Sequence, residues 1–300
     1  MIAMSSAWPA GAYTQQPCSG VETWTKVGKN TWRAHGLPRS QGATAVGHGW
    51  IFSWQGGVSR TDEAYNVRAI NTWPPQLLNP LFNPTGPNHF GPTHIGDVDV
   101  HNGILYAPEE DGGEDLGPLS INNPEFQHPI IALYEAKTLR YTGVSYELPT
   151  SLNADGVPWI AINSRTHEAY TAEWGMPHDR INVFDLQMNF LRFIDLHYPA
   201  SLGAGFHLSR IQGAEVFGGA LYAARDDDGK SVFKIDIATG NVSKAFALNP
   251  AFPSEMEGIA VRATPDGALF HVLLVVHKDL PLVGEEPVAI QFQHFALSCS

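Results

Sequence analysis

Gln212-Gly-Ala-Glu-Val-Phe-Gly-Gly-Ala-Leu-Tyr222 is the stretch that decides the fold: a small and apolar run, a Gly-Gly pair, and a second apolar run. Glycines at a tight turn supply the positive φ that matches the twist of paired strands, so the stretch reads as a β-hairpin. The phrase recurs in Gln41-Gly-Ala-Thr-Ala-Val-Gly-His-Gly-Trp-Ile-Phe-Ser-Trp54 and in Ile95-Gly-Asp-Val-Asp-Val-His-Asn-Gly-Ile-Leu-Tyr106. It recurs again in Trp159-Ile-Ala-Ile-Asn-Ser-Arg-Thr-His-Glu-Ala-Tyr-Thr171 and Glu257-Gly-Ile-Ala-Val-Arg-Ala-Thr-Pro-Asp-Gly-Ala-Leu-Phe270. Five hairpins at a period of roughly 45–65 residues mark a repeat architecture.

Further strand-like runs follow the hairpins, at Pro129–Glu135 and Gly143–Leu148, at Arg180–Asp185 and Leu191–Leu196, and at Val232–Ile237 and Ser243–Leu248. Four-stranded units repeated radially, with Pro-rich connections such as Trp73-Pro-Pro-Gln and no long helical periodicity, predict an all-β fold. The expected architecture is a five-bladed β-propeller in which residues 1–300 form one domain. After the fifth hairpin only the strand Val288–Ala296 remains, while Glu22–Ala34 precedes the first hairpin unassigned. The ring is therefore expected to be closed by this N-terminal strand in the last blade, with residues 1–17 a flexible segment ahead of it. That closure brings Cys18 beside Cys299, the only two cysteines, and predicts a disulfide between them.

A formal net charge of -12 without any basic run argues against nucleic acid and against an anionic membrane as partners. The longest apolar stretch, Ala268–His277, is far short of the roughly 20 residues of a membrane helix and reads as one strand. Met1–Gln16 lacks the basic start and continuous apolar region of a signal peptide, and reads as a mature or trimmed N-terminus. The two chain-end cysteines and the acceptor sequon Asn241-Val242-Ser243 predict a secreted or otherwise extracytoplasmic protein, expected to be a monomer.

Propellers collect ligands over the central channel, where the loops into each innermost strand and the loops joining second to third strands converge; this locates a site without naming its chemistry. Read onto the sequence, that face holds His94, Glu173, His178 and Glu257 as candidate acid–base groups. Gln41, Trp54, Glu110, Trp159, Trp174, Gln212 and Arg225 are the candidate contacts for a small-molecule or carbohydrate ligand. Carboxylates and amides outnumber imidazoles there, which predicts an oxygen-rich site of the calcium type and no organic cofactor. Asp226-Asp227-Asp228-Gly229 is not an EF-hand loop, because Ala224 and Ile235 stand where its first and last carboxylates belong. His167-Glu168 lacks the second His of a zinc-protease helix, and no Gly-x-Ser-x-Gly or phosphate loop occurs.

Leu221-Tyr-Ala-Ala, Val232-Phe-Lys-Ile-Asp-Ile-Ala-Thr-Gly240 and Glu257-Gly-Ile-Ala resemble the propellers of the strictosidine synthase-like, paraoxonase-like and regucalcin/gluconolactonase group. The resemblance implies a metal-assisted hydrolase of lactones or esters with Ca2+ or another divalent cation in the channel. By position in the blade it implies Asp97, Asn163 and Glu257 as metal ligands and His94 as base. Those families usually have six blades, whereas five are counted here. Gln41-Gly and Glu257-Gly also resemble plant-type glutaminyl cyclases, which implies a metal-independent cyclase or lyase with Glu257 as proton shuttle. A lectin-like carbohydrate-binding propeller is the third reading. Such lectins repeat one pocket per blade, whereas the channel positions here differ (Gln, Ile, Trp, Gln, Glu), which favours one composite site and an enzyme.

Overall fold

The computed structural model describes residues 21–33, 39–71, 94–110, 129–154, 156–175, 177–264, 267–280 and 284–299. They form five antiparallel sheets. The chain begins with strand β1 (Glu22–Arg33) and then builds blade 1 from β2 (Gly42–Val46), β3 (Gly49–Trp54), β4 (Gly57–Asp62) and β5 (Val67–Asn71). Blade 2 has an inner strand interrupted into β6 (His94–Ile95) and β7 (Asp99–His101), followed by β8 (Ile104–Glu110), β9 (Ile130–Glu135) and β10 (Tyr141–Glu147). Blade 3 comprises β11 (Ala161–Asn163), β12 (Glu168–Thr171), β13 (Arg180–Asp185) and β14 (Phe190–Asp195). Blade 4 comprises β15 (Ile211–Phe217), β16 (Ala220–Arg225), β17 (Ser231–Asp236) and β18 (Val242–Ala247). In blade 5, β19 (Ser254–Thr264), β20 (Gly267–Leu280) and β21 (Gly284–Cys299) are completed on the outside by β1. No helix among the described residues is long and apolar enough to cross a membrane.

Because side chains alternate across a strand, each blade buries both faces against its neighbours, and one apolar core fills each seam. Ile51 and Val58 meet Leu105 and Tyr134 between blades 1 and 2, and Tyr106 and Ile131 meet Ile160 and Phe184 between blades 2 and 3. Trp159 and Tyr170 meet Leu221 and Phe233 between blades 3 and 4, and Tyr222 meets Phe270 between blades 4 and 5. The fifth core joins Trp50 and Phe52 of blade 1 to Leu273 and Phe292 of blade 5. Five cores for five seams make a closed ring.

Closure depends on β1, which pairs antiparallel with β21 from Glu22 opposite Cys299 to Arg33 opposite Ala289. Trp24 and Trp32 are an even number of residues apart and would face one side of a regular strand. A register shift between Lys26 and Gly28 adds one residue and reverses the alternation. Trp24 therefore packs into the blade 4–5 core, against Tyr222, Phe246 and Phe270, while Trp32 packs into the blade 5–1 core against Phe52 and Tyr65. One strand thus seals both seams of the last blade. Cys299 ends β21, but Cys18 and the segment 1–17 lie outside the described residues.

Candidate functional site

At the channel mouth two blades bring together Gln41 of blade 1 and His94 and Glu110 of blade 2. His94 and Glu110 are paired across β6 and β8, so their side chains share one face. His94 Nδ1 lies 3.2 Å from Glu110 Oε1, and His94 Nε2 lies 2.6 Å from Gln41 Oε1 at the start of blade 1. Glu110 is fixed in turn by blade 3, where the Val157 N–H donates to its Oε2. Gly156 makes this approach possible: its φ is +80°, and a Cβ there would fall 1.9 Å from Glu110 Oε2. The His94 and Glu110 side chains keep 13% and 11% of their surface, enough to be reached from the mouth and little enough to be largely dry.

The other candidates fall into separate groups around the mouth. Gln212 Nε2 donates to Glu255 Oε1 at 3.4 Å, and His277 Nε2 lies 3.9 Å from Glu255 Oε2, joining blades 4 and 5. Trp174 is 36% exposed and carries the Arg210 guanidinium 5.5 Å from its ring. Arg210 and Lys230 both pair with the buried Asp226, which also accepts the Met256 N–H at 2.9 Å. Arg225 pairs with Asp227 at 3.4 Å, donates to the Ser209 carbonyl and lies over Phe206. Glu173 is half-buried in the loop after β12, and Trp54 is half-buried at the end of β3. His178 is buried at the blade 3–4 seam, its N–H donating to the Leu208 carbonyl at 2.7 Å and its own carbonyl accepting from Tyr198 Oη. Trp159 is fully buried in the blade 3–4 core, where it supplies packing.

Below the mouth the channel is lined by carboxyl groups. Asp97 Oδ1 accepts the Ala43 N–H of blade 1 at 2.9 Å, and Oδ2 accepts the Ile259 N–H of blade 5 at 3.2 Å. Its backbone exchanges hydrogen bonds with Pro158 and Ile160 of blade 3. Asp99, on the same strand face, accepts the Ile162 N–H at 2.7 Å and the Thr44 hydroxyl at 3.3 Å. Glu215 faces the pair from blade 4. Burial pushes the Asp97 carboxyl well up, helped by the charge of Asp99 and opposed by the N–H donors; Glu215 is raised by burial and then by both aspartates.

Of the ligand set implied by the resemblance, Asn163 stands apart from Asp97. Asp97 bridges to Trp159, and Asn163 stands four residues beyond Trp159, about 13 Å further along an extended strand. Asn163 Oδ1 accepts the Arg165 and Thr166 N–H groups and shapes the β11–β12 turn. Glu257 is buried in β19, where the register with β20 shifts between Met256 and Ile259. Among the described residues no group of three or more His, Cys, Asp or Glu side chains is placed to hold a metal ion.

Asp99 and Glu255 were not singled out in the sequence. Asp99 carries a usable signal, since it stands two residues from Asp97 in an otherwise apolar inner strand and must share its face. Glu255 lies ahead of the fifth repeat and carries none.

No protein-family profile matches the chain, and no curated protein matches it. Among solved structures it is similar to a GH43 protein, BlXynB, from Bacillus licheniformis, at 13% identity over 87% of this chain and 54% of that one, with a TM-score of 0.52. It is also similar to hydrazine synthase of Kuenenia stuttgartiensis, at 18% identity over 85% of this chain and 63% of that one, and to a gluconolactonase of Xanthomonas campestris, at 10% identity over 82% and 68%, both with a TM-score of 0.43. The chain thus spans less than two thirds of the GH43 protein and of hydrazine synthase, 54% and 63% of their lengths. At these identities the likeness is one of fold: the chain is a five-bladed β-propeller.

Proposed function

We propose that this propeller hydrolyses small esters or lactones, with His94 as the acid–base residue and Glu110 as the group that positions it. The observation that carries the reading is the pair of contacts on the His94 ring. With Nδ1–H given to Glu110, Nε2 is the ring's acceptor; it is covered by the Gln41 carboxamide, which has to swing aside before Nε2 can meet a water in the mouth. With the carboxamide oxygen toward it, both ring nitrogens face acceptors and the ring suits the imidazolium. Movement of the Gln41 side chain off Nε2 therefore precedes the proton transfers.

In the reaction the water oxygen bonds to the substrate carbonyl carbon while His94 Nε2 takes the water proton. The carbonyl carbon–alkoxide bond then breaks and His94 returns the proton to the departing oxygen, giving acid and alcohol, or a hydroxy acid from a lactone. Glu110 holds the tautomer and stabilises the imidazolium that forms between these steps.

A panel of p-nitrophenyl esters and γ- and δ-lactones tests the proposal. His94→Gln should lower kcat/KM by about 10²–10⁴-fold, the usual contribution of a positioned acid–base group. Glu110→Gln should lower kcat with little change in KM. Full activity in His94→Gln would overturn the assignment, and the absence of turnover across the panel would overturn the reaction class.

A further inference from the structure

The resembled propellers imply a cation in the channel, whereas this chain brings backbone N–H groups and glycines together around the Asp97 carboxyl. The inner edges of the innermost strands leave N–H groups without sheet partners, and buried N–H groups must be satisfied. Ala43 N–H and Ile259 N–H are two such groups, from blades that adjoin across the ring closure, and each is taken by one Asp97 oxygen. Three glycines from three blades make room. A Cβ would fall 2.6 Å from Asp97 Oδ1 at Gly42, 2.3 Å from Oδ2 at Gly213 and 2.8 Å from Oδ1 at Gly258. With its backbone bonded to Pro158 and Ile160, Asp97 of blade 2 touches the other four blades.

We propose that Asp97 is an inner latch of the ring, its carboxyl joining blades 1 and 5 across the channel and making the propeller's centre independent of a bound metal ion. The outer latch is β1 on β21; the inner latch ties the same closure from the opposite edge of the sheets. Any cation at this height would have to face the Ala43 and Ile259 N–H donors, whose polarity repels it, and Asn163 is engaged in the β11–β12 turn instead.

The test needs no knowledge of the substrate. Thermal unfolding of the wild type should give the same midpoint in excess EDTA and in millimolar CaCl2. Asp97→Ala should lower the midpoint by roughly 10 °C, because two buried N–H groups lose their acceptor, and calcium should not restore it. Asp97→Asn, which keeps the shape but turns one acceptor into a donor, should give a smaller fall. Should neither variant fold, hydrogen exchange on the wild type in EDTA decides: the Ala43 and Ile259 amides should be among the slowest. A concentration-dependent rise of the wild-type midpoint with calcium, or fast exchange at those two amides in EDTA, would overturn the latch.

Discussion

Glu109→Gln should change how stability depends on pH, and the size of the change follows from where Glu109 sits. It lies next to Glu110 on β8, so alternation turns it to the opposite side of blade 2, into the core shared with blade 1. The side chain is fully buried; Oε1 accepts the Tyr134 hydroxyl at 2.6 Å and Oε2 has no hydrogen-bond partner. Burial pushes its carboxyl from 4.5 up to about 8, against the smaller opposing effect of the Tyr134 hydrogen bond. The fold therefore binds this proton more tightly than the unfolded chain does. The resulting stability is complete below the unfolded value and is lost as pH rises through the folded one. At about 1.4 kcal/mol per pH unit, the wild type gives up roughly 3 kcal/mol between pH 4.5 and 7 and about 5 kcal/mol over the whole window, as a ceiling. Glutamine cannot titrate and keeps an acceptor for Tyr134; its buried NH2 adds a cost of about 1–3 kcal/mol that does not vary with pH. Urea unfolding of both proteins at pH 5, 6, 7 and 8, with equal slopes, gives the difference directly, and groups common to both cancel. The variant should gain steadily on the wild type as pH rises. A difference that stays flat from pH 5 to 8 would show that Glu109 is ionised and hydrated in the fold.

The histidines of blade 5 act in the opposite sense. His271 Nδ1 lies 2.7 Å from His294 Nδ1, whose Nε2 lies 2.7 Å from Asn30 Oδ1, and burial, with His294 and Arg262 adding to it, holds His271 down to about 2. A depressed base is neutral in the fold, so its stability is complete above the unfolded value near 6.5 and about 2 kcal/mol is lost between pH 6.5 and 5; His271→Leu should remove that acid limb, and an unchanged limb would refute it. The Cys18–Cys299 disulfide is proposed from the register of β1 on β21, which sets Glu22, four residues after Cys18, opposite Cys299. Non-reducing peptide mapping should find the linked pair, worth about 4–5 kcal/mol in the chain-entropy model, and two free thiols would remove the proposal.

The fold was legible where turn chemistry is local. Gly-Gly at 218–219 and Asn-Gly at 102–103 adopt the positive φ that their hairpins require, and each opens a blade. The N-terminal strand was legible by subtraction, since blade 5 lacked a fourth strand without it. Blade 1 hid its outer half: in β5 the side chains of Val67 and Ile70 face solvent, so apolar alternation marks no buried face. The reversal in β1 left only one mark in the sequence, the isolated Gly28 of Lys26-Val-Gly28, which suits a bulge without fixing the register on either side of it.

The site divides along a physical line. His94, Gln41 and Glu110 were legible because polar residues at the ends of otherwise apolar strands must face the mouth or the solvent. Their mutual contacts were not, since these depend on how blades 1 and 2 twist toward each other, and Gly156 shows that a missing Cβ on a fourth segment decides whether Glu110 reaches its place. Asp97 was legible as a carboxyl in an apolar strand, and such a residue invites the reading of a metal ligand. Its partners are backbone N–H groups, which every residue carries and no sequence pattern distinguishes. Only the count of inner-edge donors left over by the sheets separates a carboxyl that awaits an ion from one already satisfied. Asp97 has the Ala43 and Ile259 N–H groups on its two oxygens, and the proposed latch rests on that pair.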